Sequence, residues 1–235
     1  MKLYAYCLVE DVGALEATPL GISGAPVRLL EMDEFAVLVS DFNTETVAVS
    51  RENALAHAAV VRSVLDRTTP LPFRFGTVVT EQQLRSYISA RKPALQTRFA
   101  LLRGCVEMSV KIIRELSTAN SAHGEITSGT TFLQEKQREI RGSEQSAAEA
   151  KDISTWLQDQ VKALTRDEQV IVRPSEKLVV AAAHLVERAK IPQYKDTLAA
   201  AREKRPELHF LVSGPWPPYS FANIELEFKS QFGVS

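Results

Sequence analysis

The chain has 235 residues, with 28 Lys and Arg against 29 Asp and Glu and a formal net charge of -1. Hydrophobic residues make up 45% and charged residues 24%, an ordinary globular balance that excludes wholesale disorder. No basic excess exists to neutralise phosphates, which argues against nucleic-acid binding. The length fits one large domain or two small ones.

In chain order, Leu3–Glu10 reads as a strand rich in aromatic and aliphatic residues, without the features of a signal peptide. After a loop with several Gly and Pro, Val27–Met32 and Phe35–Phe42 read as a hairpin turning at Asp33-Glu34. Ser50–Arg67 predicts a helix, capped by Ser50 and buried along Ala54, Ala58, Val61 and Leu65. Pro70 and Pro72 end it. Leu71–Val79 reads as a further strand, and Thr80 caps a short helix to about Ala90. Pro93 lies at the start of a second helical piece that runs to about Arg103, with Gly104 as its C-cap.

The second half begins with Cys105–Arg114, which alternates with period two. A polar loop, Ser117–Gly129, leads to a long helix over Thr130–Thr165. Its C-terminal face carries Ile153, Leu157, Val161 and Leu164, and its middle, Arg141–Asp152, is polar. Gln169–Arg173 is a short strand. Leu178–Val186 fits a buried strand or a buried helix by periodicity, and its β-branched content favours the strand. Pro192–Lys204 is a helix with Tyr194, Leu198 and Ala201 on one face, and Glu207–Ser213 a strand ending at Gly214-Pro215. Ala222–Phe228 alternates again and reads as a tail strand.

The expected fold is α+β with two domains and a tail. Residues 1–103 form a modified α+β sandwich. Residues 104–213 follow the βαββαβ order of a ferredoxin-like domain. Residues 214–235 carry the tail strand, packing back on the first domain.

Chemistry-bearing patterns are sparse. There is no Walker A loop, no dinucleotide fingerprint and no nucleophile elbow. No Cys/His spacing resembles a metal site, and no cofactor motif is visible. Cys7 and Cys105 sit in apolar runs as buried small hydrophobes, which fits a reducing compartment. No stretch is long and apolar enough to span a bilayer, so a cytoplasmic protein is expected. His57 reads as solvent-facing, and His184 as a core or sheet-facing imidazole with a backbone partner. Glu225 and Glu227 share the wet face of the tail strand. Three residues stand out as partner-binding candidates. Arg74, flanked by Phe73 and Phe75, faces opposite to them in a strand; it is either tied to groups at the sheet surface or makes bidentate contact with a partner's carboxylate. Trp216 and Tyr219, in a proline-fixed segment, either close over the core or form an exposed hot spot. No catalytic set is identified.

Four blocks resemble the gas vesicle protein family GvpL/GvpF: Leu3-Tyr4-Ala5-Tyr6-Cys7-Leu8-Val9, Leu71-Pro72-Phe73-Arg74-Phe75-Gly76-Thr77-Val78-Val79, Gly104-Cys105-Val106-Glu107-Met108-Ser109-Val110-Lys111, and Val212-Ser213-Gly214-Pro215-Trp216-Pro217-Pro218-Tyr219-Ser220-Phe221. They span nearly the whole chain in order. Cys7 stands where the family more often has a small residue. The resemblance implies a two-domain α+β protein that acts in vesicle formation, not as an enzyme, and contacts the hydrophobic shell protein or accessory gas vesicle proteins. The competing expectation is a small-molecule sensor or enzyme on a ferredoxin-like scaffold, a fold that hosts many functions.

Overall fold

A computed structural model describes residues 2–10, 18–114, 147–171 and 178–223. The chain divides into two compact units. One holds Met1–Glu107 with the segment from Pro215 onward, the other Met108–Gly214.

The first unit is built on β1 (Lys2–Val9), whose residues from Leu3 to Val9 are all buried. It pairs antiparallel with β3 (Phe35–Phe42) on one side, and with β4 (Leu71–Pro72) and β5 (Val78–Thr80) on the other. β2 (Arg28–Met32) pairs with β3 at the sheet edge. The β2–β3 turn is tight because Asp33 adopts a left-handed φ of 54°, a conformation Asp and Asn tolerate better than most residues. The register of β1 slips between Ala5 and Cys7, a bulge at Tyr6. The slip puts Tyr4 and Tyr6 in one apolar cluster with Cys7 and Val9, where strict alternation would have separated them.

A sheet so buried needs cover on both faces. Helix α1 (Arg51–Leu65) lays Val60, Val61 and Val64 on the face with Tyr4, Tyr6, Ala36 and Leu38. Helix α2 (Glu81–Leu102) covers the other, where Phe99 stacks on Phe35 with ring centres 5.5 Å apart. Ser50 caps α1 by accepting the Asn53 N–H, and Thr80 and Gln83 form a reciprocal capping box on α2.

Burying two tyrosines obliges their hydroxyls to find partners. Ser40 donates to the Pro26 carbonyl at 2.9 Å, which leaves its oxygen to accept from the Tyr6 hydroxyl at 3.1 Å. Tyr6 Oη in turn accepts the Ile22 N–H at 2.8 Å. Tyr4 Oη accepts the Gly76 N–H at 3.1 Å and is hydrogen-bonded to His57 Nδ1 at 2.8 Å. Gly21 passes so close to this network that a Cβ there would lie 1.9 Å from Tyr6 Oη.

The second unit carries β6 (Cys105–Arg114) from Met108 on, α3 (residues 147–161), β7 (Thr165–Ile171), β8 (Leu178–Glu187), α4 (Ile191–Lys204) and β9 (Leu208–Trp216) as far as Gly214. The strands lie in the order β7-β8-β6-β9, with β7 antiparallel to β8 and Glu168 opposite His184. Ala150, Ile153, Leu157 and Val161 of α3 are buried, as are Tyr194, Leu198 and Ala201 of α4. Buried His184 is tied by Nδ1 to Tyr194 Oη at 2.5 Å.

Several sequence expectations change. The two short helices around Pro93 are one helix, α2. Pro93 removes a single backbone hydrogen bond, while Leu84, Ile88, Leu95, Phe99 and Leu102 form one buried stripe across it. The buried face of α1 is His57, Val60, Val61, Val64 and Leu65; Ala54 and Ala58 are exposed, because the larger side chains fill the core. His57 is therefore buried, and the partner of His184 is a side chain, not backbone. The strand expected over Leu71–Val79 is interrupted at residues 73–77. Leu178–Glu187 is a strand. α3 ends before β7 begins at Thr165, and β9 runs on through Pro215 to Trp216. Ala222 closes a short helix, α5 (Tyr219–Ala222), rather than opening a strand. The remainder of the tail, the polar loop 117–129 and the first part of the long helix lie outside the described residues.

Gly21→Ala is expected to lower unfolding free energy by roughly 1–3 kcal/mol through overpacking against Tyr6; urea denaturation measures it, and an unchanged midpoint contradicts the close approach. Burial pushes His57 and His184 each down to about 4. Between pH 6.5 and 4 the unfolded chain thus binds protons that the folded units refuse. Stability is fully retained above pH 6.5 and falls as pH drops through that window, by roughly 3 kcal/mol per histidine. Imidazole NMR signals of both residues should stay in the neutral form from pH 7.5 to 5.5.

Candidate functional site

The outward face of α1 is unusually apolar. Leu55, Ala58 and Ala59 are all exposed there, Leu55 at 58%, at the helical spacing that aligns them with Arg62. Across from this stripe lies the segment Trp216–Tyr219, where Trp216 is 46% and Tyr219 39% exposed. Between them is a pocket of about 390 Å³, walled by Leu55, Ala58, Ala59 and Arg62 of α1, Glu107 of β6, and Trp216, Pro217 and Tyr219. All of these residues belong to the first unit.

Its two charged residues are engaged by the chain itself. Arg62 donates from Nη1 to the Pro215 carbonyl at 2.9 Å and lies 6.0 Å from the centre of the Trp216 ring. Its Nε is 3.6 Å from Asp66. Glu107 is buried, and both carboxylate oxygens accept from Ser220: Oε2 from the backbone N–H and Oε1 from the hydroxyl, each at 2.8 Å. Burial pushes the Glu107 carboxyl above its usual range, and the two Ser220 donors pull it back. Tyr219 sits with its ring centre 6.2 Å from that of His57, and burial raises its hydroxyl pKa as well. The pocket thus offers an occupant mainly carbon surface.

Of the residues singled out in the sequence, Trp216 and Tyr219 meet in this pocket. Arg74 does not line it. Arg74 is exposed at the start of a turn in which its carbonyl accepts both the N–H and the hydroxyl of Thr77. Gly76, third in that turn, has φ of 86°, as a turn with a left-handed third residue requires. The Tyr4 hydroxyl anchors the Gly76 N–H, and Phe75 packs edge-on against His57 with ring centres 5.9 Å apart. Glu225 and Glu227 lie outside the described residues. Among the described residues no group of three or more His, Cys, Asp or Glu could hold a metal ion, and no helix is long and apolar enough to cross a membrane.

Sequence reasoning missed Arg62 and Glu107. The surplus of apolar positions on α1 beyond one stripe was a readable sign of a second apolar face. Glu107 has no local sign, because it falls in the polar phase of β6 and is explained only by the return of Ser220.

Gly76→Ala is expected to cost roughly 1–2 kcal/mol, the penalty of a left-handed φ for a residue with a Cβ. Thermal unfolding reads this directly, and a variant as stable as the parent contradicts the turn geometry.

The sequence model described as "Gas vesicle synthesis protein GvpL/GvpF" matches residues 2–223. The chain is 29% identical to gas vesicle protein L2 of Halobacterium salinarum, covering 93% of this chain and 90% of that protein. It is also 29% identical to gas vesicle protein L of a Streptomyces species, with 95% and 94% covered. Among solved structures, gas vesicle protein GvpF from Anabaena superposes with a TM-score of 0.77 at 22% identity, over 95% of this chain and 97% of that one. GvpF from Microcystis aeruginosa gives 0.76 at 22% identity, over 95% and 99%. At that identity the likeness shows the shared fold of helices and two sheets.

Proposed function

Because the chain belongs to the gas vesicle synthesis protein GvpL/GvpF family, with a role in gas vesicle formation, we propose that it is a non-enzymatic assembly or minor structural protein. Its partner is the hydrophobic shell protein, or an accessory gas vesicle protein, met in the cytoplasm and at the vesicle. The observation that carries this reading is the pocket between α1 and Trp216–Tyr219. Exposed apolar surface rimmed by polar residues is how soluble proteins engage apolar partners, and Trp and Tyr are enriched among the residues that dominate such interfaces. Arg62 and Glu107 are bound to Pro215 and Ser220, so they serve to build the pocket rather than to perform acid–base or nucleophilic work. The physical role is to cover apolar surface of shell subunits until they assemble. Arg74, exposed on its Tyr4-anchored turn, is a second contact, suited to a partner carboxylate.

The same reading takes the second unit as ferredoxin-like, supported by the sequence of strands and helices β6-α3-β7-β8-α4-β9 and by the spatial order β7-β8-β6-β9. It keeps the two-domain division of 1–103 and 104–213, with residues from 214 returning to the first domain. The passage of the chain out of the first unit after Glu107 and back at Pro215 supports it.

Capture of purified shell protein by the immobilised chain tests the proposal. Binding is expected, and Trp216→Ala should weaken it by roughly tenfold or more, the effect of removing an interface anchor. No capture, together with normal vesicles in a deletion strain, would sink the idea.

A further inference from the structure

The Trp216–Tyr219 wall has an unusual shortage of backbone donors. Pro215, Pro217 and Pro218 have no N–H. The N–H of Tyr219 is used locally by the Pro217 carbonyl at 2.8 Å, and that of Phe221 by the Pro218 carbonyl at 3.2 Å. Trp216 is carried as the last residue of β9, beside β6. Two further side-chain tethers stand at the ends of the stretch. At the front, Arg62 holds the Pro215 carbonyl. At the back, Glu107 takes both the N–H and the hydroxyl of Ser220, while the Phe221 side chain beside it is buried at 1% exposure.

The back tether is the stronger in kind. An ionised carboxylate accepting two hydrogen bonds from one residue fixes both position and orientation, and charge-assisted bonds are about twice as strong as neutral ones. Glu107 lies at the start of a sheet strand with fully buried Val106 and Met108 on either side, so it is a rigid post. Burial beside mainly carbon surface disfavours the charged form of Glu107, and the two Ser220 donors offset that cost.

We propose that Glu107 is the positioning residue of the pocket: its carboxylate, clamped on Ser220, holds the Trp216–Tyr219 wall open at a fixed distance from α1. This rests on the reading that the pocket receives a partner. Its binding strength is then set by a residue that orders the wall before the partner arrives, because a preordered wall loses less freedom on binding.

The wall's order can be read without a partner. The chain has two tryptophans, so Trp156→Phe leaves Trp216 as the sole reporter. In that background, Glu107→Gln and Ser220→Ala should each raise acrylamide quenching of Trp216. They should also weaken binding of the uncharged apolar dye N-phenyl-1-naphthylamine and of purified shell protein, Glu107→Gln by roughly tenfold, as expected for loss of charge-assisted bonding. Far-UV circular dichroism checks that each variant is folded, and Ser220→Ala carries the test should Glu107→Gln fail to fold. Ala59→Trp, which fills the pocket from α1, separates the two ideas. If it abolishes shell-protein capture while Glu107→Gln and Ser220→Ala leave quenching and binding unchanged, the latch is overturned alone. Should Ala59→Trp bind shell protein as the parent does, the pocket reading falls instead, and with it the latch's role in binding.

Discussion

A buried hydroxyl must find a hydrogen-bond partner, and the first unit is arranged around two such hydroxyls on one strand. Tyr4 and Tyr6 stand side by side in the core, their ring centres 4.7 Å apart. Tyr6 draws in the loop at Ile22 and the strand residue Ser40. Tyr4 draws in the turn at Gly76 and the helix residue His57. Four segments far apart in the chain are thereby indexed to β1. The rotation of α1 follows from this. Once His57 must face Tyr4, Val60, Val61 and Val64 follow it inward, and Leu55, Ala58 and Ala59 are left facing out. The apolar pocket is a consequence of a hydrogen bond on the opposite side of the helix.

The pocket shows how a surface can be apolar and still well defined. Carbon surface attracts partners without directional preference, so shape has to come from elsewhere. Here polar groups supply it from behind: Arg62 and Glu107 spend their hydrogen bonds on the chain and leave little charge for an occupant. This differs from a catalytic cleft, in which ionisable groups converge on an empty point with their bonding capacity held for a substrate.

Much of the architecture was legible from period and capping. β1, β3, β6, α1 and α4 fall close to the residues that alternation or helical spacing predicts, and Ser50 and Thr80 cap as their side chains suggest. The failures have physical causes. Pro93 reads as a helix start when the pattern is local, but a continuous buried stripe outweighs one lost backbone bond. The alanines of α1 read as core because they are apolar, although larger neighbours two and three positions on fill the core better. Phe73 to Thr77 reads as strand by alternation, yet Gly76 carries the positive φ that breaks it. Of the site, the aromatic half was visible and the charged half was not. Trp216 and Tyr219 stand out in a proline-rich segment, while Glu107 gains its meaning only from Ser220.

That last pair joins residues 113 apart, and between them the chain makes the whole second unit. During synthesis α1 and Glu107 leave the ribosome early, and domains ordinarily fold in the order they emerge. This unit cannot finish in that order. Its pocket wall arrives only after Gly214, so the exposed stripe of α1 has no facing wall until the whole second unit has been translated. A chain stopped at Gly214 would lack this wall together with the last two residues of β9. On the proposed function, the site that receives the partner forms only after the chain has made the second unit and returned to the first.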